Sequence, residues 1–423
     1  MLLVLSLAYA VTLEEAWAAA ETGSVDIALV REQYNAAKTL TGAAWSLVSP
    51  KVVLRGSFTR NDEELSFDTT DLIPEEFLEF LAPTDPLVVR KLEYLDASAS
   101  LIQPLFSGKA LPLLRAAYGE VHAAAEELRA NEAEIRSGVA QAYWGVLVAR
   151  QGVAISERAL ESAKKHQALA ETSAEVGLAA PTAKLQAQIA ASRAEREVAG
   201  AVEGRTSAET AFARLTGLPA DTTVELPPVR ELRYATVDDA IASARDSRPA
   251  IRAATERRKS ANLQKLARGL DWLPEVNGRF TYVWTENTSA FNDNPDFWMV
   301  VAESEWVLWD GGYRISEQAK AGAQARMARL AEERAVGEAD AEIRTLWERR
   351  QRAQKALVAV HHESVLATEN ARIADAAWTA GAITFLELED ARLGEKAAQL
   401  GELQERMNVD LAAIALMAAA GDL

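Results

Sequence analysis

The chain has no cysteine in 423 residues. That removes disulfide frameworks, thiol catalysis, cysteine zinc sites and cysteine-anchored lipidation together. Basic residues are also in short supply: 45 Lys and Arg stand against 62 Asp and Glu, a formal net charge of -17. Nucleic acid is therefore not an expected partner, because phosphate backbones are met by basic stripes. No run approaches the roughly 18 apolar residues a membrane-spanning helix needs, a test that leaves β-barrels untouched. Aromatics make up only 7% of a chain that is 49% hydrophobic, so alanine carries much of the apolar content. Such a composition favours long packed helices over a globular core.

Proline is absent between Pro112 and Pro181 and again after Pro295. Because proline interrupts helix interiors, very long helices can run there. Within the first gap Ile135, Val139, Ala142, Val146, Ala149, Val153, Ser156, Leu160, Ala163, Gln167, Ala170 and Ala174 recur in steps of four and three. Val336, Ala339, Ile343, Leu346, Arg350, Ala353, Leu357, Val360, Ser364, Ala367, Ala371, Ala374 and Trp378 do the same in the second. A sustained 3.5-residue repeat requires helices that supercoil around partners, and the small residues let them approach closely. At ~1.5 Å per residue each run is on the order of 100 Å long.

The chain is duplicated. Residues 12–52 lie over 236–276 without a gap, with Thr12 on Thr236, Ala16 on Ala240, Ile27 on Ile251 and Pro50 on Pro274. A different offset places Val139 on Ile343, Tyr143 on Trp347, Gly177 on Gly381 and Gly217 on Gly421. The expected division is a signal peptide over 1–10, a first repeat over 11–217, a linker over 218–235 and a second repeat over 236–423. The signal peptide rests on an apolar run closing in Ala8-Tyr9-Ala10, although its positive flank is missing. Each repeat reads as a helix, two strands, a very long helix, a break and another helix. The strands fall near 51–60, 94–106, 275–286 and 297–309, the long helices near 108–176 and 312–379, and the last helices near 182–217 and 384–420.

The strands alternate between one apolar and one polar face, as in Val276, Phe280, Tyr282 and Trp284 against Asn277, Arg279 and Thr281. A transmembrane barrel demands that pattern. Trp272, Trp284, Trp298, Trp306 and Trp309, five of the ten tryptophans, cluster in the second hairpin. They suit an interfacial aromatic belt at the two membrane surfaces. Four strands cannot close a barrel, since the smallest have ~8, so several chains must share one. The competing reading is a soluble periplasmic coiled-coil scaffold, which leaves the strands and tryptophans unexplained.

The duplicated arrangement resembles the TolC family of outer-membrane efflux proteins. The resemblance is carried by Thr12-Leu13-Glu14-Glu15-Ala16, Gln103-Pro104-Leu105-Phe106-Ser107-Gly108, Trp306-Val307-Leu308-Trp309-Asp310-Gly311-Gly312, Val139-Ala140-Gln141-Ala142-Tyr143 and Val176-Gly177-Leu178-Ala179-Ala180-Pro181-Thr182. It implies a mainly α chain whose four strands join those of two copies in a 12-stranded outer-membrane barrel, above a helical periplasmic tunnel. It further implies a homotrimer that acts as the exit duct of a tripartite efflux or type I secretion system. The partners would be outer-membrane lipid, a periplasmic adaptor and an inner-membrane RND, ABC or similar transporter, with no cofactor, metal or catalytic residue. Unlike the family's lipoprotein members, this chain has no cysteine to acylate.

The same resemblance assigns Val176, Gly177, Leu178, Thr182 and Gly381 to the adaptor-docking tips, where glycine serves a turn that needs positive φ. It assigns Glu387 and Asp390 to the pore constriction. Residues three apart share a helix face, so three chains would stack two acidic rings that attract cations and, by repulsion, raise some of their own pKa values. Ala183 and Ile383 stand where relatives often carry an acid and a base, so the polar lock between those positions is missing. Residues 61–93, with Pro74, Pro83 and Pro86, are expected to form a long extracellular loop. The four histidines lack metal-ligand spacing, and no phosphate loop or activated nucleophile is present.

Overall fold

The computed structural model describes residues 10–67, 87–176, 180–288 and 294–423. Gly177, Leu178, most of the expected signal peptide and the centre of the 61–93 loop lie outside them. The first repeat contains α1 (Leu13–Gly23), α2 (Val25–Trp45), β1 (Lys51–Arg60), β2 (Leu65–Phe67), β3 (Leu87–Arg90), β4 (Glu93–Phe106), α3 (Ala110–Glu175) and α4 (Pro181–Thr216). The second contains α5 (Val237–Ser247), α6 (Pro249–Leu270), β5 (Glu275–Thr285), β6 (Asp296–Glu305), α7 (Tyr313–Thr379) and α8 (Phe385–Ala420).

The opening helix of each repeat is divided in two. Pro249 starts α6, and α1 ends at Gly23, where a side chain would meet the Thr216 carbonyl at 2.9 Å. The two α1-type helices start alike. Thr12 and Glu15 form a capping box on α1, and Thr236 and Asp239 form the same box on α5. Each satisfies backbone donors that a helix N-terminus leaves without partners.

One compact unit comprises the chain up to Asn35, Ala123–Thr255 and Leu330–Leu423. Its core is built twice. Ala16, Ala20, Val139 and Phe212 sit in one buried cluster, and their repeat counterparts Ala240, Ala244, Ile343 and Leu416 sit in the other. None of the 3.5-period seam residues of α3 and α7 is exposed. The linker is tied to the first repeat by a parallel bridge between Val11 and Val224. The buried Tyr143 hydroxyl supports it, lying 2.8 Å from the Val11 carbonyl and 2.7 Å from that of Glu225.

The other unit, Ala36–His122 with Glu256–Arg329, holds a four-stranded antiparallel sheet in the order β1-β4-β5-β6, with β2 and β3 forming a separate two-stranded sheet. These two strands lie inside the stretch 61–93 expected as a loop and have no counterpart among the expected strands. Register across the sheet places Val52, Leu101, Phe280 and Val300 in one row and Leu54, Ala99, Tyr282 and Trp298 in the next. These rows share a face. Val52, Leu54, Phe58, Trp298 and Val300 on it are exposed. The opposite face carries Ser100 and Thr281, hydroxyls 3.1 Å apart, and Asp96 bonded by the Thr285 hydroxyl. One exposed face of the sheet is thus apolar, and most of the polar side chains lie on the other, which also carries Val283, Phe297, Met299 and Val301.

β6 ends at Glu305, not at residue 309, so Trp306 and Trp309 lie beyond the strand. The ladder stops at the pair Glu275 and Glu305, because β5 begins at Glu275, directly after the turn at residues 271–273 that follows α6. Among the described residues no helix is long and apolar enough to cross a membrane.

Candidate functional site

The helix reversals form where local chemistry stops one helix and restarts another. After α7, Gly381 takes φ 71°. Its N–H bonds the Trp378 carbonyl at 2.9 Å, and the Ala382 N–H bonds that of Ala377 at 2.8 Å. This is the left-handed closure that releases a helix's last carbonyls from solvent. At the other reversal Val176 and Thr182 are exposed, with Thr182 following Pro181 in the first turn of α4.

Glu387 and Asp390 follow on α8, both exposed. Glu387 is turned back onto its own helix start, its carboxylate accepting the Thr384 N–H at 2.7 Å and hydroxyl at 2.8 Å. The Thr384 backbone bond, and then the hydroxyl, hold its pKa below the usual carboxylate range. Within the protomer the direction at this residue is therefore down, where ring repulsion alone would push it up. Asp390 instead borders a cavity of about 640 Å³. Glu389, Arg392, Lys396, Arg193 and Glu197 share its wall. Burial raises the pKa of Glu389, with Arg392 opposing. Two charge contacts cross this region: Arg392 pairs with Asp375 of α7, and Lys396 with Glu197 of α4.

Beside them is a cluster with no local sequence signal. His166 of α3 is buried, its ring edge-on to Trp378 at 4.5 Å and 6.3 Å from Phe385. Asp375 and Arg392 lie on opposite sides of the Gly381 turn, and His166 belongs to the other repeat. Only the folded chain brings them together.

The tryptophans separate into two groups. Trp284 and Trp298 stand near the β5–β6 turn, with Trp298 stacked on Phe280 at 6.3 Å. Trp272, Trp306 and Trp309 gather at the opposite end of those strands, where the Trp306 indole donates to the Trp272 carbonyl at 3.1 Å. The Arg314 guanidinium lies 4.2 Å above the Trp272 ring.

The signature of the outer membrane efflux protein family matches residues 18–218 and 240–422, nearly the whole chain. The chain belongs to that family. Its location is accordingly the outer membrane, with the helical part in the periplasm. Among solved structures, this efflux protein is similar to the outer membrane protein VceC of Vibrio cholerae (TM-score 0.77, 20% identity, 97% of this chain and 96% of that one). It is also similar to the CmeC outer membrane channel of Campylobacter jejuni (0.80, 15%, 97% and 85%). The open state of the MtrE outer membrane channel of Neisseria gonorrhoeae matches as well (0.75, 18%, 97% and 88%). At these identities the structural likeness establishes the fold. No curated protein matches the sequence.

Proposed function

We propose that three copies of this chain form the exit duct of a tripartite efflux or type I secretion system. The duct conducts substrates passively from an inner-membrane RND, ABC or similar pump and a periplasmic adaptor to the outside. The observation that carries this reading is the four-stranded sheet, with one exposed apolar face, most of its polar side chains on the other face, and β1 and β6 as edges. Edge strands present unpaired backbone groups, and in lipid these must be satisfied by closure. Pairing β6 of one protomer with β1 of the next, three times over, closes a 12-stranded barrel.

In this reading residues 11–217 and 236–423 form the duplicated wall and 218–235 an equatorial linker. Trp272, Trp284, Trp298, Trp306 and Trp309 lie at the two lipid interfaces. Val176, Gly177, Leu178, Thr182 and Gly381 mark the tips that meet the adaptor, and Glu387 and Asp390 narrow the pore. The chain conducts and does not catalyse, and choice of substrate rests with the pump.

The test is extraction followed by conductance. The protein should require detergent, migrate as a trimer, and give discrete channel currents in a planar bilayer. Recovery as a soluble species without detergent would favour the periplasmic scaffold and overturn the duct.

A further inference from the structure

His166 is 6% exposed, and its Nδ1 is buried without a hydrogen-bond partner. Its Nε2 lies 3.9 Å from Oδ1 of Asp375. That same oxygen accepts Nη2 of Arg392. One carboxylate atom on α7 thus faces nitrogens from two other helices, α3 and α8. A guanidinium makes a charge-assisted bond there, and a neutral imidazole adds little across that distance.

We propose that His166 and Arg392 compete for Asp375, so that a proton taken up by His166 exchanges the α7–α8 contact for an α3–α7 contact and frees the first turns of α8. This rests on the duct reading and adds to it a control of the tip that carries Glu387 and Asp390.

Protonation from solvent makes the imidazole a cation, attracted to Asp375 and repelled by Arg392. Arg392 has somewhere to go. It borders the cavity, and Asp390 stands on the same wall, so the released guanidinium keeps an acidic neighbour, whereas Glu389, whose pKa burial raises, takes up a proton in the same acid. The first turns of α8 are also lightly packed. Leu388 and Ala398 are buried there, whereas Val409, Asp410, Ala412, Ala413, Ile414, Leu416, Ala419 and Ala420 are buried further on. The Arg392–Asp375 and Lys396–Glu197 pairs therefore carry a large share of what holds this end.

The charged groups that act on this point are Asp375 and Arg392, and those nearby on α3 and α4 are engaged with one another. On α7 the group facing His166 is Asp375, and on α8 it is Arg392, with Glu389 next to it. On α4 Glu195 is paired with Lys164 at 3.0 Å. On α3 Lys165 pairs with Glu161 at 2.7 Å, and Glu171 is bonded by Gln167 and Gln188. Burial and then Arg392 push His166 down to about 4, with Asp375 opposing. At neutral pH the ring is uncharged and Arg392 holds the contact. Release belongs to acid surroundings, which an outer-membrane tunnel open to the exterior can meet.

The experiment is single-channel conductance of the full-length trimer in planar bilayers, from neutral pH down to about pH 4. Wild type should show an acid-induced rise in open-state occupancy. His166→Phe keeps an aromatic ring against Trp378 and cannot titrate there. It should lose that rise while keeping wild-type conductance at neutral pH. Arg392→Gln removes the α7–α8 contact itself, so it should conduct more at neutral pH and show little further rise in acid. His166→Gln, a smaller polar replacement, guards against misfolding of the first variant, and trimer migration is checked for each. An absent acid response in wild type, or one that survives in both His166 variants, overturns the latch. A wild-type chain that forms no channel at any pH overturns the duct reading itself.

Discussion

The Trp144 indole N–H donates to Oδ2 of Asp410 at 2.7 Å, joining the long helix of the first repeat to the last helix of the second. Arg230 of the linker places Nε 3.4 Å from the other oxygen, covers the Trp17 ring at 4.8 Å and bonds Glu14 at 2.7 Å. Linker, α1, α3 and α8 therefore meet at one buried carboxylate. The repeat counterpart of Trp144 is Glu348, so duplication did not make this link; divergence of the halves did. Trp144→Phe keeps the packing and leaves the carboxylate without its indole donor. The expected loss is about 1.5–3 kcal/mol, the range for a bond to a charged group, read from denaturant unfolding in detergent. A loss within noise would mean that Arg230 alone satisfies Asp410.

Burial also sets the pH behaviour at this site. It raises the pKa of Asp410, and the Trp144 bond opposes the rise. A carboxylate whose pKa is higher folded than unfolded binds its proton more tightly in the native state, so stability falls as pH rises through that window. Asp410→Asn can still accept the Trp144 N–H and cannot ionise. Its unfolding midpoint should be flatter with pH than wild type through the carboxylate range. Parallel curves would reject Asp410 as a contributor.

Two glycines with similar backbone angles should respond differently to alanine. Gly381, φ 71°, has open space where a Cβ would stand, with nothing within 4 Å, whereas at Gly421, φ 83°, that atom would meet Ser247 and Arg248 backbone at 2.7 and 2.8 Å. Gly381→Ala is expected to cost about 1–2 kcal/mol for the left-handed conformation. Gly421→Ala adds an overpacking cost of roughly 1–3 kcal/mol. Equal losses in thermal unfolding would show that the α8 terminus yields to the added methyl.

Gly421 also shows what was legible beforehand. The repeat offset predicts that whatever Gly217 does, Gly421 does too, and both take positive φ against the end of an opening helix, Gly23 in one case and Ser247 in the other. Period and duplication, which extend over many residues, foretold the long helices, the four-stranded sheet and the two similar halves. What was not legible depends on pairs far apart in sequence. His166, Asp375 and Arg392 carry no shared spacing, and their meeting follows from how α3, α7 and α8 pack. The end of β6 was hidden because the alternating pattern continues past Glu305, while its partner β5 begins only at Glu275, after the turn that follows α6. Glu387 was legible as an acid after a turn, yet its engagement with Thr384 is a matter of rotamer.

Within the sheet-bearing unit, α3 and α6 approach closely at Gly119. A Cβ there would lie 2.3 Å from the Ser260 hydroxyl oxygen, which donates to the Ala116 carbonyl at 3.0 Å. Gly119→Ala should destabilise by displacing that hydroxyl. Gly119→Ala with Ser260→Ala should recover much of the loss, because the Ser260 Cβ is 3.6 Å from the new methyl. Such coupling between contacting sites is expected at roughly 0.5–3 kcal/mol. Additive losses would place the strain elsewhere.

The constriction residues should separate in bilayer recordings. Asp390→Asn and Glu387→Gln each remove a charge per protomer, three per trimer in the duct reading, and both should weaken cation preference and block by multivalent cations. Asp390→Asn should have the larger effect, since Glu387 is engaged by its helix cap and Asp390 is not. Glu387→Gln retains an acceptor for the Thr384 N–H, and Gln is a capping-box residue, so it should assemble normally. Unchanged selectivity in both variants would reject this pair as the gate.

The apolar sheet face gives the most direct test of membrane contact. Leu54 is 78% exposed and lies in the row with Ala99, Tyr282 and Trp298. Ser98, paired with Arg55 and Val283, is one residue from Ala99 and points to the opposite face. An arginine on the lipid side of a barrel costs about 2–4 kcal/mol near the midplane, while the lumen side tolerates charge. Leu54→Arg should therefore lower the yield of assembled outer-membrane trimer well below that of Ser98→Arg, although both introduce the same cation at similar depth. A soluble sheet covered by a partner also disfavours arginine on its apolar face, but its loss would not depend on bilayer thickness. Repeating the comparison in bilayers of shorter and longer acyl chains distinguishes the two, because moving the interface changes the depth of Leu54 and with it the penalty. A penalty for Leu54→Arg that is the same in every bilayer would place that face against protein.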